Sequence, residues 1–319
     1  MDWRTNLLEY IRGRLPSADD IQFARFSAMP AGASNDTVGI DLAVICEGII
    51  HTLPVILRPE RSHGILAPYD VERQYRVMRA LQGTDVPVPA AFWFEREISV
   101  LGMKFYFMSR LEGETLPLIW YGGRSPRLDA VAAGLASLHA VDWRAAGLDF
   151  LLPADALSHT SPVQTDLAGW RERAVHMGIG HDRRLIRLGE FLRANEPRDT
   201  RFAFIHGDPN PGNYLVRDNE VVAILDWELA AIGDPRADLG FYAALLTIFG
   251  GYPGPGGQTI LSDAYAGVTG TALTNLDYFE AVGLYKMSII TAGWGGMMGS
   301  GYGMDGISRR MNELFGDRW

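Results

Sequence analysis

The segment His206-Gly207-Asp208-Pro209-Asn210-Pro211-Gly212-Asn213, with the run Val221-Val222-Ala223-Ile224-Leu225-Asp226 after it, constrains this chain more than any other feature. Tyr214 to Arg217 alternates apolar and polar residues, and Val221 to Leu225 is β-branched and apolar. Asp218-Asn219-Glu220 between them is turn chemistry, so the stretch reads as a β-hairpin. Residues equidistant from the turn of an antiparallel hairpin lie side by side. Folding about Asp218-Asn219 therefore brings Asn213 level with Ile224 or Leu225, and Asp226 emerges at the same open end, about a strand spacing away.

Two oxygen-bearing side chains thus converge, and Asp208 sits on the Gly- and Pro-rich loop just upstream, where the chain must turn sharply. An amide oxygen and a carboxylate suit a hard cation that keeps waters and phosphate oxygens as its other ligands. A further carboxylate beside them suits the orientation of an attacking hydroxyl. Those are the parts of a phosphoryl-transfer site. Asp208 or Asn213 alone would read as a turn cap, and it is the ordered set that carries the chemistry. Zinc fits poorly, because His206 has no second His or Cys nearby in the sequence.

The rest of the chain divides in character. Leu7, Leu8, Ile11 and Leu15 recur at helical spacing before Pro16. Strands are predicted over 21–26, 38–45, 49–58, 91–95 and 103–109. A helix over 70–82 should present Val71, Tyr75, Met78 and Leu81 on one side. After Glu112-Gly113-Glu114-Thr115 the pattern turns helical. Helices are expected from Asp129 (as cap) to His139 and over 170–177, 183–194, 239–249 and 278–291. Residues 1–111 and 112–319 are therefore expected to form two lobes. The segment 293–306 holds seven glycines and three methionines and reads as a surface loop in preference to a moving lid. The turn Ala31 to Thr37 could lay backbone N–H groups over phosphates, although by itself it reads more simply as an ordinary hairpin turn.

Charge and cysteine usage narrow the setting. The net charge of −9 argues against non-specific nucleic-acid binding. Residues 1–111 carry 12 basic and 13 acidic groups, and 112–319 carry 17 and 25. That acidic second part would attract a cationic substrate or simply form a soluble surface. Cys46, the single cysteine, is expected to be a small buried hydrophobe in a reducing cytosol. No signal peptide is read at the start, and no apolar run reads as a membrane span. A cytoplasmic monomer or homodimer is expected, with no membrane and no nucleic-acid partner.

The order of these parts resembles the aminoglycoside phosphotransferase and choline kinase superfamily. The likeness spans roughly residues 30–245 and is most specific from His206 through Asp238, including Gly233-Asp234-Pro235 and Asp238-Leu239. Leu111-Glu112-Gly113 and Leu135-Ala-Ser-Leu-His-Ala-Val-Asp142 also suit it. Leu57-Arg58-Pro59 and Glu72-Arg73-Gln74-Tyr75-Arg76-Val77 look most like bacterial members similar to the kinase-like domain fused to some acyl-CoA dehydrogenases.

The resemblance implies an α+β, two-lobed protein-kinase-like fold, with an antiparallel-sheet N-lobe and a mainly helical C-lobe. It implies Asp208 as catalytic base and Asn213 and Asp226 as magnesium ligands. Gly32, Ser34 and Asn35 would form the phosphate-covering turn, and Ser109, Arg110 and Leu111 the hinge beside adenine. Asp238 would brace the catalytic loop, His206 would hold its shape, and Glu228 would offer an extra metal or substrate contact.

The expected activity is ATP- and magnesium-dependent transfer of the γ-phosphate to a hydroxyl of a small molecule. One departure stands out. Kinases of this fold usually pair a strand Lys with a helix Glu. This chain has two lysines, Lys104 and Lys286, against 27 arginines, and Arg58 takes the expected strand position. Glu72 and Gln74 compete as its partner, and two residues apart on a helix only one can face it. The missing lysine leaves a catalytically silent nucleotide-binding regulator open as an alternative. A metal-dependent phosphohydrolase is the other.

Overall fold

The computed structural model describes residues 3–28, 37–61, 69–117, 125–152, 161–251, 253–298 and 304–318. The chain forms two compact units, residues 1–82 with 88–112, and residues 83–87 with 113–319. Gly32, Ser34 and Asn35 of the expected phosphate-covering turn lie outside the described residues.

The first unit begins with α1 (Trp3–Arg14), followed by β1 (Asp20–Ala28), β2 (Val38–Cys46) and β3 (Ile49–Pro59). Then come α2 (Val71–Leu81), β4 (Ala91–Glu95) and β5 (Phe105–Ser109). The five strands form one sheet in the order β1-β2-β3-β5-β4, with every neighbour antiparallel. Period-two alternation puts Ile40 and Leu42, Val55 and Leu57, and Phe105 and Phe107 into one core with Leu7 and Ile11 of α1. Cys46 is only half-buried, because it ends β2 beside the Glu47-Gly48 turn and not in that core.

Helix α2 is capped by Asp70, whose side chain accepts from the Arg73 N–H. Its buried stripe is Val71, Gln74, Val77, Met78 and Leu81, the helical i, i+3, i+7 pattern. Tyr75 is half-buried instead, stacked on Phe94 at 5.3 Å.

The second unit carries β6 (Glu114–Thr115), α3 (Pro126–His139), α4 (Pro162–His176), α5 (Arg183–Ala194), β7 (Ala203–Ile205), β8 (Tyr214–Arg217), β9 (Glu220–Ile224) and β10 (Ala231–Gly233). Four helices complete it: α6 (Arg236–Ile248), α7 (Ile260–Thr269), α8 (Leu276–Met298) and α9 (Met304–Phe315). Two helix starts differ from expectation for one reason. Ser125 and Ser161 accept from backbone N–H groups three residues on, each followed by a proline at the first helical position. Asp129 is therefore inside α3 and does not cap it. Helix α8 runs on through Gly293, Gly295 and Gly296 to Met298, so the first part of the glycine-rich segment is helix and not loop.

Helices α6 and α8 cross at contact distance. A Cβ on Gly240 would lie 2.0 Å from the Phe279 carbonyl oxygen, and one on Gly283 would lie 2.4 Å from that of Gly240. Lys286 on α8 is buried in an ion pair with Asp166 of α4, Nζ to Oδ2 2.5 Å. Burial pushes the Asp166 carboxyl up, and the Lys286 charge opposes that. Among the described residues, no helix is long and apolar enough to cross a membrane.

Candidate active site

The hairpin β8–β9 turns at Asp218 and Asn219, both left-handed, with φ of 53° and 63°. That is the backbone of a type I′ hairpin turn. Tyr214 lies opposite Ile224, and one step further the Leu225 N–H donates to the Asn213 carbonyl at 2.8 Å. Asn213 is therefore level with Leu225, and Asp226 follows at the same end. Helix α3 covers the hairpin where Gly134 comes within contact of Tyr214, Val221 and Ile224.

Asp208 is reached from the buried strand β7, whose partner is β10, with Ile205 opposite Ala231. The intervening loop is held by long-range bonds. Asp238, in the first turn of α6 and fully buried, accepts from the His206 N–H at 2.9 Å and the Gly207 N–H at 2.8 Å. His139, the last residue of α3, brings Nε2 to 2.9 Å from the same carboxylate, and its Nδ1 lies 3.0 Å from the Tyr265 hydroxyl. A hydroxyl donating to Nδ1 leaves the proton on Nε2, facing Asp238. Burial disfavours the Asp238 charge. The His139 hydrogen bond, with His206 and the backbone donors, outweighs it and holds the carboxyl below its ordinary value.

Within the loop, the Asp208 N–H donates to His206 Nδ1 at 3.3 Å, and His206 Nε2 reaches the Leu225 carbonyl at 2.9 Å. One imidazole thus ties the loop to the strand that delivers Asp226. Trp227, buried behind it, stacks on Phe204 and donates to the Ile224 carbonyl. Gly207 has φ of 85°, and a Cβ there would meet the Leu229 carbonyl oxygen at 2.1 Å. Only glycine fits that step.

Asn213 Nδ2 donates to the Asp208 carbonyl oxygen at 2.9 Å. A carbonyl only accepts, so the amide nitrogen faces it and the amide oxygen is presented elsewhere. Asn210 Nδ2 donates to the Asp208 carboxylate at 2.9 Å. Burial raises the Asp208 carboxyl, and the negative charge of Asp226 raises it further, while Asn210 and His206 pull the other way. Asp226 adopts φ 63° and ψ 72°, a left-handed conformation that costs a non-glycine residue about 1–3 kcal/mol. The strain falls on a residue whose side chain must leave its strand at a set angle.

One carboxylate and one amide oxygen at the hairpin end, beside a second carboxylate, make a hard donor set. It fits a magnesium ion that takes its remaining oxygens from phosphate and water. Asn213 and Asp226 would hold it there. Glu228, half-buried, is on the single 3₁₀ turn Trp227–Leu229.

In the first unit, Arg58 on β3 donates through Nη2 to Gln74 Oε1 at 3.2 Å and through Nη1 to Thr37 Oγ1 at 3.0 Å. Glu72 turns the other way and pairs with Arg96. The usual cation–carboxylate couple is here a guanidinium with a neutral amide. Ser109 Oγ accepts from the Ala90 N–H, Arg110 pairs with Asp41, and Leu111 is exposed. Lys104 sits just before β5, 3.8 Å from Glu60.

Sequence reasoning missed His139, Tyr265 and Asn210 as members of this network. Tyr265 also lines a cavity of about 220 Å³ with Arg201, Asp234 and Arg236, and the loop carboxylates are not among its walls. His139 stood inside the Leu135 to Asp142 signature, and only its burial assigns it a partner. Tyr265 lay in a helix that periodicity had not marked.

Acyl-CoA dehydrogenase family member 11 of Gallus gallus is 29% identical, the match covering 73% of this chain and 33% of that protein. The chain spans a third or less of the length of such curated relatives, 21% for Acyl-CoA dehydrogenase family member 10 of Mus musculus. In fold, the chain resembles a candidate aminoglycoside phosphotransferase from Ralstonia eutropha JMP134, with a TM-score of 0.67, 22% identity and coverage of 99% and 97% of the two chains. It also resembles the Plasmodium vivax ethanolamine kinase, with a TM-score of 0.62, 11% identity and coverage of 97% and 86%. Both share the two-lobed, kinase-like phosphotransferase fold. The model of the phosphotransferase enzyme family matches residues 26–266, and this chain belongs to that family.

Proposed function

We propose that this phosphotransferase moves the γ-phosphate of ATP to a hydroxyl of a small molecule with the help of magnesium. The observation that carries this reading is one loop–hairpin hydrogen-bond network that joins Asp208 and Asn213 to Leu225, the residue before Asp226. Asp208 accepts and orients the substrate hydroxyl proton, and its raised carboxyl makes it a better base than a solvated aspartate would be. Asn213 and Asp226 hold the metal, which when bound offsets charge on the transferring phosphoryl group. Arg58 supplies a fixed cation for nucleotide phosphates, and Gly32, Ser34 and Asn35 are assigned to the turn over them. Ser109 to Leu111 are assigned to the adenine side and Glu228 to a supporting contact.

Two acceptor classes draw support. The name shared by the curated relatives favours hydroxylated acyl compounds, while the ethanolamine kinase likeness and the acidic residues 112–319 favour a cationic alcohol. The test is an ATP-consumption screen over acyl thioesters bearing a hydroxyl, amino alcohols, sugars and aminoglycosides, with Asp208→Ala as blank. The substitution should lower turnover by about 10²–10⁴-fold while ATP binding stays near the parent value. Equal turnover in the variant removes Asp208 from the mechanism. The neutral Arg58–Gln74 pair favours a second reading, nucleotide binding without transfer. Tight ATP binding with no turnover on any acceptor would select it.

A further inference from the structure

The Arg58–Gln74 pair is more than a weakened version of a lysine–glutamate couple, because an amide has chemistry that a carboxylate lacks. An ionised carboxylate only accepts hydrogen bonds, whereas an amide accepts through oxygen and donates through nitrogen. Arg58 can only donate, so Gln74 Oε1 must face it, and the contact of 3.2 Å fixes the rotation of the amide. The –NH₂ group is thereby directed away from Arg58.

Gln74 is 1% exposed, and its Nε2 has no hydrogen-bond partner among the described residues. A buried donor left without an acceptor is costly, and native structures rarely keep one without a use. Thr37 repeats the arrangement on the other finger of the guanidinium. Its oxygen accepts from Arg58 Nη1 at 3.0 Å, which leaves its hydroxyl proton to donate elsewhere. A planar cation therefore has beside it two neutral groups, each accepting from it and each still holding a proton to give. A cation flanked by two neutral groups that can still donate fits a multiply charged anion.

We propose that Gln74 binds the nucleotide's phosphate directly through Nε2, next to Arg58 and with Thr37 as a second neutral donor. This rests on the nucleotide-binding reading above. The residue at this helix position thus becomes a phosphate contact as well as a support for the cation. Its identity as glutamine is what matters, since a glutamate would remove the donor, offset the Arg58 charge and set a negative charge beside the phosphate.

The test compares dissociation constants of ATP and adenosine, measured calorimetrically on the full chain for the parent, Gln74→Glu and Thr37→Val. Gln74→Glu should weaken ATP binding about ten- to hundredfold and leave adenosine binding unchanged, the size of one charge-assisted hydrogen bond. Thr37→Val, on a half-buried residue, should weaken ATP several-fold in the same phosphate-selective way, and it reports even if Gln74→Glu fails to fold. Gln74→Glu binding ATP as tightly as the parent or tighter, as a restored ion pair would, overturns the proposal while the nucleotide reading stands. A parent chain that binds neither ATP nor adenosine overturns both.

Discussion

The loop around Asp208 and the surroundings of Arg58 are built on opposite plans. In the second unit the loop that carries Asp208 is braced by bonds reaching across the sequence, with Asp238 taking donors from His206, Gly207 and His139. In the first unit Arg58 donates to two neutral groups, Gln74 and Thr37, that keep protons of their own. The difference follows from the tasks proposed for them. A base and two metal ligands must stand at fixed separations before substrate arrives, so their support is complete within the chain. A phosphate-holding group gains from donors left unspent until an anion supplies the acceptor. Substitutions in the loop should therefore act on folding and activity together, and those around Arg58 on affinity alone.

The largest effect is expected at Asp238. Asp238→Ala strands two buried backbone N–H groups and the His139 Nε2–H at once, and should cost about 4 kcal/mol of stability by the usual price of buried unmet donors. Urea unfolding measures this, and a loss below about 1 kcal/mol would mean that the loop is not braced from α6. Next comes Gly207→Ala, which combines a left-handed backbone with a Cβ 2.1 Å from the Leu229 oxygen. About 3 kcal/mol is expected, with turnover falling further than stability alone would cause, because the strain is relieved by moving Asp208.

A smaller effect concerns pH and isolates the charge on Asp238. Its carboxyl titrates below the ordinary value in the folded chain: burial opposes ionisation, but the bond from His139 and the backbone donors prevail. A depressed folded pKa means that the unfolded chain binds the proton more readily, so the contribution is present above the ordinary carboxylate range, about 4. It is lost as pH falls through the lower folded value. Asp238→Asn should therefore be less stable than the parent by about 1–3 kcal/mol at pH 7, with the gap narrowing below about pH 4. A gap that stays constant down to pH 3 would show that shape, not charge, holds the loop.

What the sequence could and could not disclose tracks the range of the interactions. The β8–β9 hairpin was legible because turn residues and period-two alternation are local; they left Asn213 level with Ile224 or Leu225, and the register shift between Leu215 and Val216 decides for Leu225. The fold class was legible from motif order and from the change in pattern after Glu112. The helix starts at Pro126 and Pro162 were carried by Ser-Pro pairs that weak apolar periodicity obscured. The choice between Glu72 and Gln74 was closed to sequence, because Tyr75 competes with Gln74 for the buried stripe and only tertiary contacts decide. The His139–Asp238 link joins residues 99 apart, and no local pattern encodes that.

The smallest effect, and the one that tests the contrast most finely, is expected from Arg58→Lys. The guanidinium presents separate nitrogens to Gln74 and Thr37 at once, a geometry fixed by its planar fork. An ammonium keeps the charge as a compact point on a flexible stem, and pays more entropy to hold two acceptors together with an anion. Stability should change by less than about 1 kcal/mol, since charge and stem are retained. ATP affinity should fall several-fold, about 1 kcal/mol of binding free energy, with adenosine unaffected. Adding Gln74→Glu to Arg58→Lys separates the two roles of the helix residue. If Gln74 acts only as an acceptor for the cation, the resulting lysine–glutamate pair should bind ATP at least as well as Arg58→Lys alone. If its donor is what phosphate uses, the double variant should bind worse, because an ion pair rebuilt inside the sheet–helix contact still offers phosphate one donor fewer.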